Sequence, residues 1–317
     1  MSAPETVPPP LGQEFLGARY APLQALAESG ARYAVLGVPQ GIPYAMPPPA
    51  GGPLDSPRAI RERARRFGRM IGHHDFDLGA ALDSRGPLRL VDCGDVAPDA
   101  QQIGACAARA TDAVAAIVRA GAVPIVLGGD DSVTALAIRG FRGEPPMSVL
   151  QIDAHIDYRD EVGGVRDGYS SPMRRAAEMP WVRRIVHCGI RGVGSARSAD
   201  VRDTLERGNA IVTAREIRRS GVQRVLDEFE PAERCYVAFD CDGVDPSVMP
   251  GTSAPLPGGL AFDEAADLLV GLARRGRLVG ISFAEHYPSL DVNGITALAI
   301  VRLIVNVLGA LALRDDG

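Results

Sequence analysis

Asp153-Ala154-His155-Ile156-Asp157 directly follows an apolar run, Ser148–Ile152. In an extended segment, positions i, i+2 and i+4 share one side. Two carboxylates and an imidazole, all metal-ligand types, therefore face one way. A second set follows the apolar run Cys235–Phe239, in Asp240-Cys241-Asp242-Gly243-Val244-Asp245-Pro246, where Asp240 and Asp242 share a side. A third acidic group, Gly128-Gly129-Asp130-Asp131-Ser132, follows Val123–Leu127. A lone acid after a strand is commonly a turn former or a helix N-cap. That reading stands beside the ligand reading for Asp130, Ser132 and Asp245. Four carboxylates and an imidazole gathered at neighbouring strand ends repel one another unless a cation neutralises them. Hard oxygen ligands with one imidazole suit Mn²⁺ or a similar divalent ion, and bridging carboxylates suit a pair of ions.

The elements that must position these residues alternate along the chain. Strands are expected at Tyr33–Gly37, Leu88–Asp92, Val123–Leu127, Ser148–Ile152, Arg184–Cys188, Ala210–Thr213, Cys235–Asp240 and Leu278–Ser282. Most are continuous apolar runs, which suits strands covered on both faces. Helices are expected at Pro57–Phe67, Ile103–Ala120, Ser132–Ile138, Ser170–Glu178, Arg215–Glu228, Ala261–Arg274 and Ile295–Leu313. This alternation predicts an α/β fold with a parallel sheet and helices on both sides. Ligands of such sheets bind at the carboxyl ends of the strands. The acidic groups all follow strands, so all fall at that edge. Residues 1–30 read as a Pro-rich, poorly ordered arm, and 31–317 as a single domain.

Composition narrows the function classes. The chain has 317 residues, a net charge of −5 and 46% hydrophobic residues, as ordinary globular proteins do. Its 34 basic residues are all arginine, and no basic stripe offsets the acidic balance, which argues against nucleic-acid binding. No stretch reaches the roughly 20 consecutive apolar residues of a membrane span, and no signal peptide is read, so no membrane association is expected. Five cysteines, Cys93, Cys106, Cys188, Cys235 and Cys241, are odd in number and form no CxxC pair. Cys93, Cys188, Cys235 and Cys241 lie in or beside apolar runs, so buried reduced thiols, and hence the cytoplasm, are the expectation.

The ordered motifs resemble those of the ureohydrolases, the arginase and agmatinase family. That family carries GGDHS, DAHxD, GIRG, DxDxxDPxxxPGTGxPxPGG and ExxP in this order. The chain has GGDDS at 128–132, DAHID at 153–157, GIRG at 189–192, DCDGVDPSVMPGTSAPLPGG at 240–259 and EHYP at 285–288. The resemblance implies a three-layer α/β/α sandwich of the arginase type, assembled as a trimer or hexamer. It implies that Asp153 and Asp240 bridge two divalent ions, that His155 and Asp242 complete one site, and that Asp157 serves the other. Glu285 matches the acid that pairs with the substrate guanidinium. The implied reaction is hydrolysis of a guanidino C–N bond to urea and an amine.

Three positions depart from the family pattern. The GGDHS histidine is Asp131, which either joins the metal site or turns away from it. Five aspartates would then set five negative charges against the four positive charges of two divalent ions, making bound water harder to ionise. The proton-shuttling histidine of YxHGxPxRRA aligns with Tyr169, whose reference pKa near 10 suits neutral-pH shuttling poorly. The first loop lacks the family's Asp and Arg and reads Met46-Pro47-Pro48-Pro49 instead. His286, next to Glu285, is a further candidate shuttle. His73 and His74 read as solvated, and His187 as a satisfied core residue. Two readings follow. One is a hydrolase of a small cationic guanidino or biguanide compound, using one or two Mn²⁺ or Ni²⁺ ions. The other is a non-catalytic subunit of a hetero-oligomer whose active paralogue keeps GGDHS; heteromeric members with nickel act on a biguanide.

Overall fold

The computed structural model describes residues 3–42, 44, 52–98 and 103–313. Ten strands are present among them: β1 (Thr6–Val7), β2 (Arg19–Tyr20), β3 (Tyr33–Gly37), β4 (Leu90–Val96), β5 (Val123–Leu127), β6 (Met147–Ile152), β7 (Val182–Ile190), β8 (Ala210–Thr213), β9 (Arg234–Asp240) and β10 (Arg277–Ala284). They form one sheet in the order β1-β4-β3-β5-β10-β9-β6-β7-β8, with β2 also on β4. Every pairing is parallel except β1 on β4. The three-layer sandwich expected from the alternation is what the chain adopts.

Strand alternation explains the layers. In β3, Tyr33 and Val35 face one core and Ala34 and Leu36 the other. The first core is closed by the helices Ser56–Gly68, Phe262–Arg275 and Ile295–Ala312, the second by Ile103–Arg119, Ser132–Arg139 and Pro172–Ala177. Both faces are dry, so the strands are mostly apolar, with buried polar exceptions such as Asp92, Gln151 and His187. Each fully buried Val, Ile or Leu contributes roughly 1.5–3 kcal/mol relative to exposure.

The structure corrects several expectations. Residues 3–30 are not a loose arm: β1 pairs with β4, and Phe15 and Leu16 are buried in the first core. Their apolar side chains lie too far from any periodic run for sequence pattern to place them. The expected helix Arg215–Glu228 is two helices, Ala214–Ser220 and Gln223–Leu226, broken at Gly221, whose φ of 76° ends a right-handed helix. The sequence pattern does not predict the helix Ser198–Glu206, whose apolar residues are too few for a clear stripe. Nor is the chain free of span-like segments: Ile295–Ala312 is long and apolar enough by composition to cross a bilayer, but 72% of it is buried inside the sandwich. Its apolar side chains serve the core. The Met46–Pro49 loop lies outside the described residues.

Candidate active site

The sheet brings the carboxyl ends of β5, β10, β9 and β6 side by side. Asp131 follows β5, Glu285 follows β10, Asp240 ends β9, and Asp153 follows β6. Residues far apart in sequence thus meet at one edge, as the parallel topology requires.

Two clusters result. Ligand atoms of Asp131, Asp153, Asp157 and Asp240 lie within 4.8 Å of one another, and so do those of Asp153, His155 and Asp242. Asp153 belongs to both. Asp131 therefore turns toward its neighbours and not away. Its Oδ1 accepts a hydrogen bond from the Thr134 hydroxyl, which sets its direction. Asp153 Oδ2 accepts from Gln151 Nε2 at 2.6 Å and Oδ1 from the His155 N–H at 2.6 Å. Asp242 Oδ1 accepts from the Ala154 N–H at 2.9 Å, and Asp240 Oδ1 from the Asp242 N–H at 2.8 Å. His155 Nδ1 sits 3.1 Å from Asp242 Oδ2. Gly194 must be glycine here, because a Cβ would fall 2.3 Å from His155 Cδ2.

Burial and mutual repulsion dominate the electrostatics. Burial, then Asp153, pushes Asp131 well above the usual carboxylate range. Burial, then Asp153 and Asp131, does the same to Asp157, and burial, then Asp242 and Asp153, to Asp240. Burial and Asp242 push Asp153 up to about 6. Burial would lower His155, but hydrogen bonds to Asp153 and Asp242 outweigh it and push it up to about 10. Five carboxylates with one imidazole are a donor set that lacks cations and fits divalent ones.

Glu285 stands at the same edge, 6% exposed. Its Oε1 accepts from the Asp131 N–H at 2.9 Å and its Oε2 from the Ser253 hydroxyl at 3.0 Å. Burial and the neighbouring Asp130 push its pKa up to about 8. Glu285 and Asp157 both hold left-handed backbone, with φ of 59° and 39°. Such conformations cost about 1–3 kcal/mol each and cluster at functional sites. A cleft of about 280 Å³ opens onto His155, Asp157, Tyr169, Asp240, Asp242 and Glu285. Tyr169 lines this cleft, its phenol held neutral by burial and by Tyr44 and Glu285 nearby.

Other candidates fall elsewhere. His286 is buried with Nδ1 2.9 Å from Ser56 Oγ and Nε2 3.1 Å from Asp291, and it does not line the cleft, so it cannot be the replacement shuttle. Adjacent residues point to opposite sides, which takes it away from Glu285. His187 is a satisfied core residue, 3.0 Å from Thr204 Oγ1 and bonded to Gln151. His73 and His74 are exposed. Asp130 accepts from the N–H groups of Ile42 and Ser132 at 3.0 Å, and Asp245 from those of Ser247, Gly258 and Gly259, so both hold turns. Sequence reasoning missed Gln151, Thr134 and Ser253, which orient the acids. Only Gln151, a polar residue inside an apolar run, carried a signal.

Comparison with known proteins agrees with this geometry. Residues 31–309 match the Arginase family. The chain is 29% identical over 284 residues to the mitochondrial guanidino acid hydrolase of Homo sapiens, covering 86% of this chain and 79% of that protein. It is 30% identical over 276 residues to the mitochondrial agmatinase of Gallus gallus, covering 82% and 79%. Among solved structures, the proclavaminate amidino hydrolase of Streptomyces clavuligerus superposes with a TM-score of 0.82 at 26% identity, covering 98% of this chain and 99% of that one. With the motifs, the parallel sheet and the matched span in agreement, the chain belongs to the arginase family of ureohydrolases.

Proposed function

We propose that the protein hydrolyses a C–N bond of a small cationic guanidino compound, a biguanide included, releasing urea or a urea derivative and an amine. The observation that carries this is the pair of acidic clusters sharing Asp153 beside Glu285. Asp131, Asp153, Asp157 and Asp240 would hold one divalent ion, and Asp153, His155 and Asp242 the other. Mn²⁺ or Ni²⁺ fits this oxygen-rich set with one imidazole. When bound, such ions supply Lewis acidity that brings the pKa of water toward 7. Glu285, backed by the Asp131 N–H and the Ser253 hydroxyl, pairs with the guanidinium and orients its central carbon toward the clusters. Tyr169 can donate a hydrogen bond from Oη to the departing nitrogen but cannot cycle its proton at neutral pH. General acid–base help is typically worth about 10²–10⁴ in rate, so turnover is slow or retuned.

Asp131 and Tyr169 also favour a second reading: a non-catalytic partner in a hetero-oligomer with a paralogue that keeps GGDHS. We place either assembly, homo- or hetero-oligomer, in the cytoplasm, consistent with five buried cysteine thiols. The test loads the purified chain with Mn²⁺ or Ni²⁺, counts bound metal, and measures urea release from guanidine, agmatine, arginine, 4-guanidinobutyrate and a biguanide. Urea release by the chain alone supports the hydrolase reading. Urea only on mixing with the paralogue supports the partner reading. Absence of bound metal under loading overturns both site assignments. Light scattering at micromolar concentration reads the assembly, and a monomer under all conditions refutes it.

A further inference from the structure

We propose that His286 is a positioning residue: bonded to Ser56 and Asp291, it fixes the backbone that aims Glu285 at the substrate guanidinium. The inference rests on the hydrolase reading above and adds to it a residue that does not line the cleft.

Glu285 follows β10 directly and holds a left-handed backbone, with φ of 59°. A glutamate keeps that conformation only where its surroundings impose it. Two backbone bonds pin the segment from either side. The Glu285 N–H donates to Gly129 O at 2.9 Å, and the Tyr287 N–H donates to Gly251 O at 2.8 Å. Between these bonds stands the His286 ring, 1% exposed, with a partner on each nitrogen. An ionised carboxylate only accepts, so Nε2 carries a proton toward Asp291, and the Ser56 hydroxyl serves Nδ1. Without the ring, the backbone can relax from φ 59° toward the ordinary helical or extended regions, which turns the carboxylate out of its present direction.

Both partners of the ring belong to helix starts. Ser56 opens the helix Ser56–Gly68. Asp291 accepts the N–H groups of Thr296 and Ala297, at 3.0 and 3.1 Å, in the first turn of Ile295–Ala312, where such groups lack partners inside the helix. The two helices close the first core, so the ring is tied to packed elements. The start of Ile295–Ala312 also holds the chain on the other side of Glu285. Thr296 Oγ1 accepts the Gly251 N–H at 2.8 Å, and a Cβ on Gly251 would fall 2.8 Å from Asp291 Cβ. Two residues on, Ser253 gives its hydroxyl to Glu285 Oε2 at 3.0 Å. One polar junction therefore sets both the backbone of Glu285 and the hydroxyl that holds its carboxylate.

Calorimetric titration of the Mn²⁺-loaded protein with methylguanidine, agmatine and 4-guanidinobutyrate tests this, with bound Mn²⁺ counted in every variant. His286→Ala should weaken each compound that the unaltered protein binds by about tenfold, with the Mn²⁺ count unchanged. The factor should be the same for all of them, because Glu285 meets the guanidinium and not the tail. Ser56→Ala, which removes one partner of the ring, should weaken them by about threefold. On a Glu285→Gln background neither change should cost anything further, since both act through Glu285. If His286→Ala does not fold, Ser56→Ala carries the same comparison. Unchanged affinity, a loss confined to one tail, a lost Mn²⁺ ion, or an undiminished loss on the Glu285→Gln background overturns this proposal and leaves the hydrolase reading standing. Failure of the unaltered loaded protein to bind any of the three overturns the hydrolase reading and this proposal together.

Discussion

Two groups of buried charge sit near the carboxyl edge of the sheet, and they are built on opposite terms. At the end of β4, Arg61 reaches Asp92 at 2.8 Å and Asp95 at 2.6 Å. Asp92 also accepts from the Phe15 N–H and the Gly94 N–H, each at 2.9 Å. Its four hydrogen bonds come from within the chain, and a cation is in place. At the ends of β5, β6 and β9, five aspartates face one imidazole. Their hydrogen bonds orient them without neutralising them. Buried charge held by a cation and by hydrogen bonds from within the chain braces an element, here Phe15 and the N-terminal segment against β4. Uncompensated burial costs stability in the absence of a ligand, and a fold keeps it only where a ligand supplies the missing charge.

The contrast can be broken most severely at Arg61. Arg61→Ala leaves Asp92 and Asp95 without their cation, and urea denaturation should show a loss of about 3–5 kcal/mol. A loss under about 1 kcal/mol would mean that the pair does not compensate the buried charge. At the other cluster, Asp131→His with Tyr169→His removes one negative charge and adds a group titrating near pH 6.5. Five charges against four become four against four. Urea release from guanidino compounds should rise about 10²-fold, and by more than either single change. A double variant that binds two metals yet gains no activity on any of these compounds would show that these two positions do not limit the chemistry.

Asp153→Asn tests the shared ligand. Mn²⁺ at 100 times its Kd should raise the stability of the unaltered protein by about 2.7 kcal/mol, and the variant should lose that gain. Without metal, the same variant should melt no lower than the unaltered chain, since one of the mutually repelling acids is gone. A lower metal-free Tm would place Asp153 with the bracing residues.

The smallest effect is on pH. Asp153 at about 6, Glu285 at about 8 and His155 at about 10 all lie above their unfolded values. Through these three groups the native metal-free protein binds more protons than the unfolded chain between about pH 4 and about pH 10, while His187, pushed down to about 3 by burial, works the other way below about pH 6.5. Stability without metal should fall as pH rises through that window, the reverse of the usual acid denaturation. Metal loading should flatten the slope, because ligands must release their protons to bind. A metal-free Tm that rises from about pH 5 to about pH 8 would contradict the upward shifts of these three groups.

Much of this was legible without coordinates. Apolar runs of strand length located eight strands, because strands buried on both faces are mostly apolar, with few polar interruptions such as Gln151. The DAHID and DCD segments located ligand types at two strand ends, but not by period-two geometry: Cys241–Gly243 is a 3-10 helix and Asp157 has a φ of 39°, so Asp240 and Asp242 serve different clusters. The two short N-terminal strands and helix Ser198–Glu206 were not legible, because their stability comes from distant partners and not from their own periodicity. Residues such as Thr134, Gln151 and Ser253 could not be assigned either, since an orienting hydrogen bond depends on where another element ends.

The amino-acid order alone dictates which ligand types exist, where each follows a strand, and that histidine is missing at 131 and 169. These are consequences of local spacing, which chain connectivity enforces. It does not dictate that Asp131 turns inward, that His286 turns away to Ser56 and Asp291, or that Tyr44 rests on Tyr169. Those outcomes depend on packing between segments up to 230 residues apart, and side-chain direction at such contacts is set by the space the folded neighbours leave.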